Sequence, residues 1–111
     1  MSEQTPMPPD VVLQEMAGIF GTLADPSRLK ILFMLCGERG QAEHNVQELA
    51  DALGLSRPLV SRHLAYLLRW GVVLHQRRGT SLYYQVLQPA ACDMIQTLHG
   101  WMTSPQDLFD K

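Results

Sequence analysis

Residues 46–67 read V-Q-E-L-A-D-A-L-G-L-S-R-P-L-V-S-R-H-L-A-Y-L, and this stretch decides the fold. Val46, Leu49, Ala50 and Leu53 recur at helical spacing, which predicts a short helix over Val46–Leu53. Asn45 precedes it as a cap and Glu48 follows three residues later, the capping-box spacing in an Asn-led form. Gly54 closes that helix. Ser56 caps a longer one, with Leu59, Val60, Leu64, Leu67 and Leu68 inward and Gly71 at its end. Two helices joined by Gly54-Leu55-Ser56 make a helix-turn-helix. Packing of Leu49, Ala50 and Leu53 against Leu55, Val60 and Leu64 turns the opposite face of the second helix outward, and the small Ala50 permits the close crossing.

That outward face is basic. The chain of 111 residues has a formal net charge of −2, which by itself argues against a nucleic-acid partner. Position reverses the reading. Residues 52–92 contain no carboxylate but hold Arg57, Arg62, Arg69, Arg77 and Arg78, a local charge of +5 against −7 elsewhere. A basic block inside an acidic chain is the footprint of a polyanion-binding face. The N-terminal turn of the second helix adds free backbone N–H groups suited to phosphate, and arginine pairs with guanine edges in the major groove.

Downstream, the period changes from helical to alternating. Val72–Leu74 and Leu82–Val86 are strand-like, and Gln76–Thr80 joins them as a hairpin with an arginine-bearing tip. This hairpin reads as a wing placed to touch the neighbouring backbone or minor groove. Candidate contacts are therefore Ser56, Arg57, Pro58, Ser61, Arg62 and His63 on the helix, and Arg77, Arg78, Gly79 and Thr80 on the wing. Arg57, Ser61 and Arg62 are expected to read the groove, with Arg77 and Arg78 on phosphate. His63 reads as a core-edge or phosphate-facing residue, since no acid or nucleophile accompanies it. Alternation puts one of Tyr83 and Tyr84 in the core and leaves the other to shield the hairpin.

Upstream, residues 1–9 carry three prolines and read as a disordered arm. Asp10 is expected to cap a first helix with Val12, Met16, Ile19, Phe20 and Leu23 apolar, weakened by Gly18 and Gly21. Asp25-Pro26 breaks it and starts a second helix, ended by Gly37. Glu38–Asn45 reads as a loop. A last helix follows Pro89 to about Thr103, with Met94, Ile95, Leu98, Trp101 and Met102 apolar. One domain over 10–104 and a polar tail over 105–111 complete the chain. The class is mainly α with a small β-hairpin, a winged helix-turn-helix. Both terminal helices carry more apolar surface than a core this small needs. A homodimer through Val12, Met16, Ile19, Phe20, Met94, Leu98, Trp101 and Met102 is therefore expected.

L-A-D-P-S-R-L-K-I-L (23–32), E-L-A-D-A-L-G-L-S-R-P-L-V-S-R-H-L (48–64) and R-R-G-T-S-L-Y-Y-Q-V (77–86) together resemble the ArsR/SmtB family of bacterial repressors. The resemblance spans about 11–103 and implies a dimeric winged helix that binds double-stranded, imperfectly palindromic operators and leaves them when an effector binds. It does not extend to the family's metal sites. Asn45 and Gln47 stand where its thiolate box has cysteines, and Gln88, Ala90, Trp101 and Ser104 stand where its last-helix site has ligands. No cofactor is expected.

Cys92 and His99 share a face of the last helix and are the remaining metal candidates, while Cys36 and Cys92 are candidates for a redox pair. Two cysteines do not make a disulfide scaffold, so a reducing bacterial cytoplasm is expected. No apolar run is long enough to span a membrane. An enzyme is disfavoured because no nucleophile–base set, carboxylate pair, phosphate loop or metal box occurs at workable spacing. The competing function is a winged helix whose arginine face meets an acidic protein.

Overall fold

The computed structural model describes residues 6–38 and 41–103. Its elements run α1 (Asp10–Leu23), α2 (Pro26–Cys36), β1 (His44–Asn45), α3 (Val46–Leu53), α4 (Arg57–Arg69), β2 (Val73–Arg78), β3 (Ser81–Val86) and α5 (Pro89–Met102). The 105–111 tail and most of the N-terminal arm lie outside the described residues. Among those described, no helix is long and apolar enough to cross a membrane.

Local chemistry sets the helix starts. Asp25 Oδ1 accepts hydrogen bonds from the backbone N–H groups of Ser27 (2.8 Å) and Arg28 (3.1 Å), with Pro26 in the first turn of α2. Asn45 and Glu48 form the reciprocal box at α3: Glu48 N–H donates to Asn45 Oδ1 at 2.8 Å and Asn45 N–H to Glu48 Oε1 at 3.0 Å. Ser56 Oγ accepts from Leu59 N–H at 3.3 Å. One start differs from expectation. Asp10 is the first residue of α1, Pro9 is its cap, and no side chain caps that helix.

The core is built from α2, α3, α4 and the sheet. Ile31, Leu32, Leu35, Leu49, Val60, Leu64 and Leu67 have no solvent exposure, and Val73, Tyr84, Val86, Cys92 and Ile95 close around them. Tyr84 is the core member of the tyrosine pair; burial pushes its phenol pKa up. His75 stacks on its ring, with centroids 5.3 Å apart. Gly18, a poor helix former, is explained by packing: a Cβ there would collide with the indole of Trp70.

Two expectations for the sheet are corrected. His44–Asn45, read as loop, is a third strand that pairs antiparallel with β3, so the sheet order is β1-β3-β2. A two-residue strand has no sequence period, and only its partner defines it. The hairpin link is also shorter than expected. The strands continue to Arg78 and restart at Ser81, leaving Gly79-Thr80 between them, with Gly79 at a φ of 63° that favours glycine.

Cys36 and Cys92, the two residues named as a candidate redox pair, are 56 positions apart and are joined by a disulfide. Their Cα atoms are 5.7 Å apart, and the bond ties the end of α2 to the first turn of α5. In this disulfide form the Cys92 Sγ is bonded to sulfur rather than held as a free thiolate. His99 packs edge-on against Phe33, with ring centroids 5.7 Å apart.

Candidate nucleic-acid interface

Helix α4 is amphipathic along its whole length. Val60, His63, Leu64 and Leu67 are buried, whereas Arg57, Pro58, Ser61, Arg62, Ala65 and Arg69 are exposed. Of the helix residues grouped from sequence as contacts, five are therefore outward or at the cap. His63 is the exception, and of its two expected settings, core edge or phosphate-facing, it takes the core edge. It is 8% exposed and its Nδ1 is buried without a hydrogen-bond partner, so it packs under the helix. It sits near Asp25, to which α2 adds Arg28, 3.7 Å from the Asp25 carboxylate. The Arg28 guanidinium also lies 4.6 Å from the centroid of the Tyr66 ring. That contact fastens α2 to α4 and takes the Tyr66 face out of play.

The wing stands beside the start of α4. Residues directly opposite one another in an antiparallel pair share a face, and the register pairs Arg77 with Leu82 and Arg78 with Ser81. Leu82 belongs to the same face as buried Tyr84 and Val86, so Arg77 points toward the helices. Arg78 points to the other side, with Gln76 and Tyr83. The two neighbouring arginines consequently have different surroundings.

Arg77 lines a cleft of about 300 Å³ with Arg57, Asn45, Gln47, Thr80 and Ser81. The cleft lies between the starts of α3 and α4 and the wing tip. No ion pair engages Arg57, Arg62, Arg69 or Arg77 among the described residues. Two guanidinium groups and two hydroxyls around an opening with no carboxylate form a seat for a phosphate-sized anion. The Gln47 amide is less available, because its Nε2 donates to Asp51 at 2.7 Å. Arg78, by contrast, is engaged by Glu43.

Sequence reading places Arg69 in the basic block but not among the contacts, and does not bring Asn45 and Ser81 to this surface. The four-residue periodicity of α4 would have found Arg69, one turn beyond Ala65. The cleft needed the hairpin register.

Elsewhere on the surface, α1 and α5 expose Val12, Met16, Phe20, Met94, Leu98, Trp101 and Met102, while Ile19 is only partly buried. Phe20, Leu23, Met94 and Leu98 line one continuous apolar groove between the two helices, about 390 Å³ in volume.

Residues 25–74, from the α2 cap to the start of the wing, match the family described as "Bacterial regulatory protein, arsR family". A biofilm growth-associated repressor of Agrobacterium fabrum is 30% identical over 93 residues, which cover 84% of this chain and 76% of that one. The chain belongs to the ArsR family. A probable mercury resistance operon repressor of Streptomyces lividans is 42% identical over 80 residues, 71% of this ArsR-family chain and 60% of the relative. The chain thus spans less than two thirds of the Streptomyces protein's length. Among solved structures, the homodimeric winged helix-turn-helix DNA-binding domain of a possible ArsR-family regulator from Mycobacterium bovis superposes with a TM-score of 0.73 at 27% identity. That match covers 90% of this chain and 91% of the other.

Proposed function

We propose that this ArsR-family chain is a homodimeric repressor that binds double-stranded operator DNA, with α4 in the major groove and the wing on the flanking backbone. One observation carries the reading. Arg57, Arg62 and Arg69 on α4 and Arg77 on the wing form a basic surface with no ion-pair partner among the described residues, inside a 41-residue stretch, 52–92, that has no carboxylate. Ser61 and Arg62 stand one turn into α4, where side chains meet base edges. Arg57 and Arg77 hold a backbone phosphate in the cleft between them. The acidic remainder of the chain discourages adhesion of DNA to other faces.

Mobility shift of the chain's own promoter DNA across a salt series tests this. Affinity falls steeply with salt as condensed counterions are no longer gained by release. Arg62→Ala costs about 1–3 kcal/mol and relaxes preference at one operator position. Arg77→Ala weakens all sequences alike and lowers the salt slope by about 0.9 per protomer. A protein that retards no duplex at low salt transfers the basic face to the competing role, contact with an acidic protein.

A second reading concerns release from DNA, and the Cys36–Cys92 bond favours it. The disulfide links α2, which supports α3 and α4, to α5, which carries the exposed apolar face. Two thiols and a hydroperoxide give the disulfide, an alcohol and water, so an oxidant of that class would couple the two regions. Operator affinity of the oxidised protein is compared with that after dithiothreitol treatment. The Cys36→Ser/Cys92→Ser variant is expected to match the reduced form and to ignore peroxide. Equal affinities of the oxidised and reduced proteins would rule the switch out.

A further inference from the structure

Arg78 sits at the wing tip of a face read as DNA-binding, yet its guanidinium is already occupied. Its Nη2 lies 2.8 Å from both carboxylate oxygens of Glu43 and 3.4 Å from Gln76 Oε1, with the guanidinium carbon 5.1 Å from the centroid of the Tyr83 ring. Glu43 is 35 residues distant in sequence and immediately precedes β1. Because the sheet order is β1-β3-β2, this ion pair passes over the middle strand and clasps the two outer ones together above Tyr83. Both members are partly exposed, Arg78 at 50% and Glu43 at 33% of their side chains. It is the one ion pair among the described residues that ties the wing to the rest of the chain.

We infer that Glu43 is a positioning residue that withholds Arg78 from DNA, so that each wing engages phosphate through Arg77 and not through Arg78. The inference rests on the DNA-binding reading above. A phosphate approaching Arg78 competes with a carboxylate tethered by the sheet, which meets it at a high effective concentration. It also meets the negative charge of Glu43 itself, since adding a second anion beside the first is repulsive. Arg77 has neither obstacle. It faces the opposite side of the ribbon and opens onto the cleft shared with Arg57. Withholding Arg78 lowers sequence-independent affinity while base contacts by α4 are untouched, which raises the ratio of operator to random binding.

The test uses the full chain, its operator, and a random-sequence duplex titrated across a salt series. Glu43→Gln releases Arg78. Binding to random duplex is expected to tighten several-fold and the salt slope to steepen by about 0.9 per protomer. Arg78→Ala in the otherwise wild-type chain is expected to leave the slope unchanged. Glu43→Gln/Arg78→Ala is expected to match Arg78→Ala. Because loss of the clasp could loosen the sheet, Arg78 and Arg77 side-chain NMR resonances are followed in the wild-type protein as DNA is added: Arg77 shifts, Arg78 does not.

A lowered slope in Arg78→Ala alone, an unchanged slope in Glu43→Gln, or a DNA-dependent shift of Arg78 would each overturn the inference while DNA binding stands. A wild-type chain that binds neither duplex defeats the DNA-binding reading and the clasp's role with it.

Discussion

Gly18 shows how a single residue can be set by a neighbour far along the chain. Mid-helix glycine costs about 1 kcal/mol relative to alanine, so propensity alone predicts that Gly18→Ala stabilises α1. The structure predicts the opposite sign. The added Cβ would collide with the ring of Trp70, at the end of α4, and overpacking costs about 1–3 kcal/mol. Gly18→Ala is therefore expected to lower the melting temperature and to change the Trp70 fluorescence environment. A higher melting temperature would mean that Trp70 moves aside without cost. The same dependence on a distant partner explains why Arg77 and Arg78, adjacent and identical in type, differ so much in setting. One strand step turns the first to the cleft and the second to Glu43.

At the scale of elements, the starts of α2, α3 and α4 were legible in sequence because each is decided within three residues. Asp25, Asn45 with Glu48, and Ser56 all bind backbone N–H groups of their own first turn. The outward face of α4 was legible for the same reason: helical periodicity is local. What depended on distant pairing was not. His44–Asn45 is a strand only because Tyr83 and Tyr84 lie beside it, and sequence leaves His63 between the core edge and a phosphate-facing position, where the structure buries it. Cys36 and Cys92 are candidates for a redox pair in sequence, but a spacing of 56 residues cannot bring them together without the fold.

The Asp25 cap has a consequence for pH. The Arg28 N–H bond to its carboxylate is the main cause that holds the Asp25 pKa below its ordinary value of 3.8, against the opposing effect of burial. A pKa lowered on folding means that the charged cap stabilises fully above about pH 3.8, and that this contribution disappears as pH falls through the lowered value. Asp25→Asn keeps an acceptor for the amides but not the charge. Urea unfolding at a series of pH values should find this variant weaker than wild type near neutrality, with the difference closing in acid. A gap that persists at the lowest pH would show that side-chain geometry, rather than charge, carries the cap.

At the scale of the whole molecule, the two surfaces need each other. In the proposed mode of binding, one wing and one α4 would meet a single half-site, and affinity for a palindrome would come from presenting two such units in fixed relation. The apolar face of α1 and α5 is suited to provide that relation. Phe20 and Trp101 are 55% and 53% exposed, and monomeric proteins rarely leave so many large apolar side chains contiguous. The disulfide adds rigidity beneath this face, and closing so long a loop stabilises by roughly 4 kcal/mol in the chain-entropy account. Because Phe20 and Trp101 lie outside the core, replacing either with a charge should spare the fold of a protomer and disrupt only the pairing. Phe20→Asp and Trp101→Asp are expected to sediment as monomers with unchanged helical circular dichroism. Each should lose about 10²–10⁴-fold in affinity for a full operator, the avidity of two linked sites, while keeping the affinity of wild type for an isolated half-site. A variant that is monomeric yet binds the full operator normally would show that the two half-sites are read independently. One that remains dimeric would place the interface elsewhere than on α1 and α5.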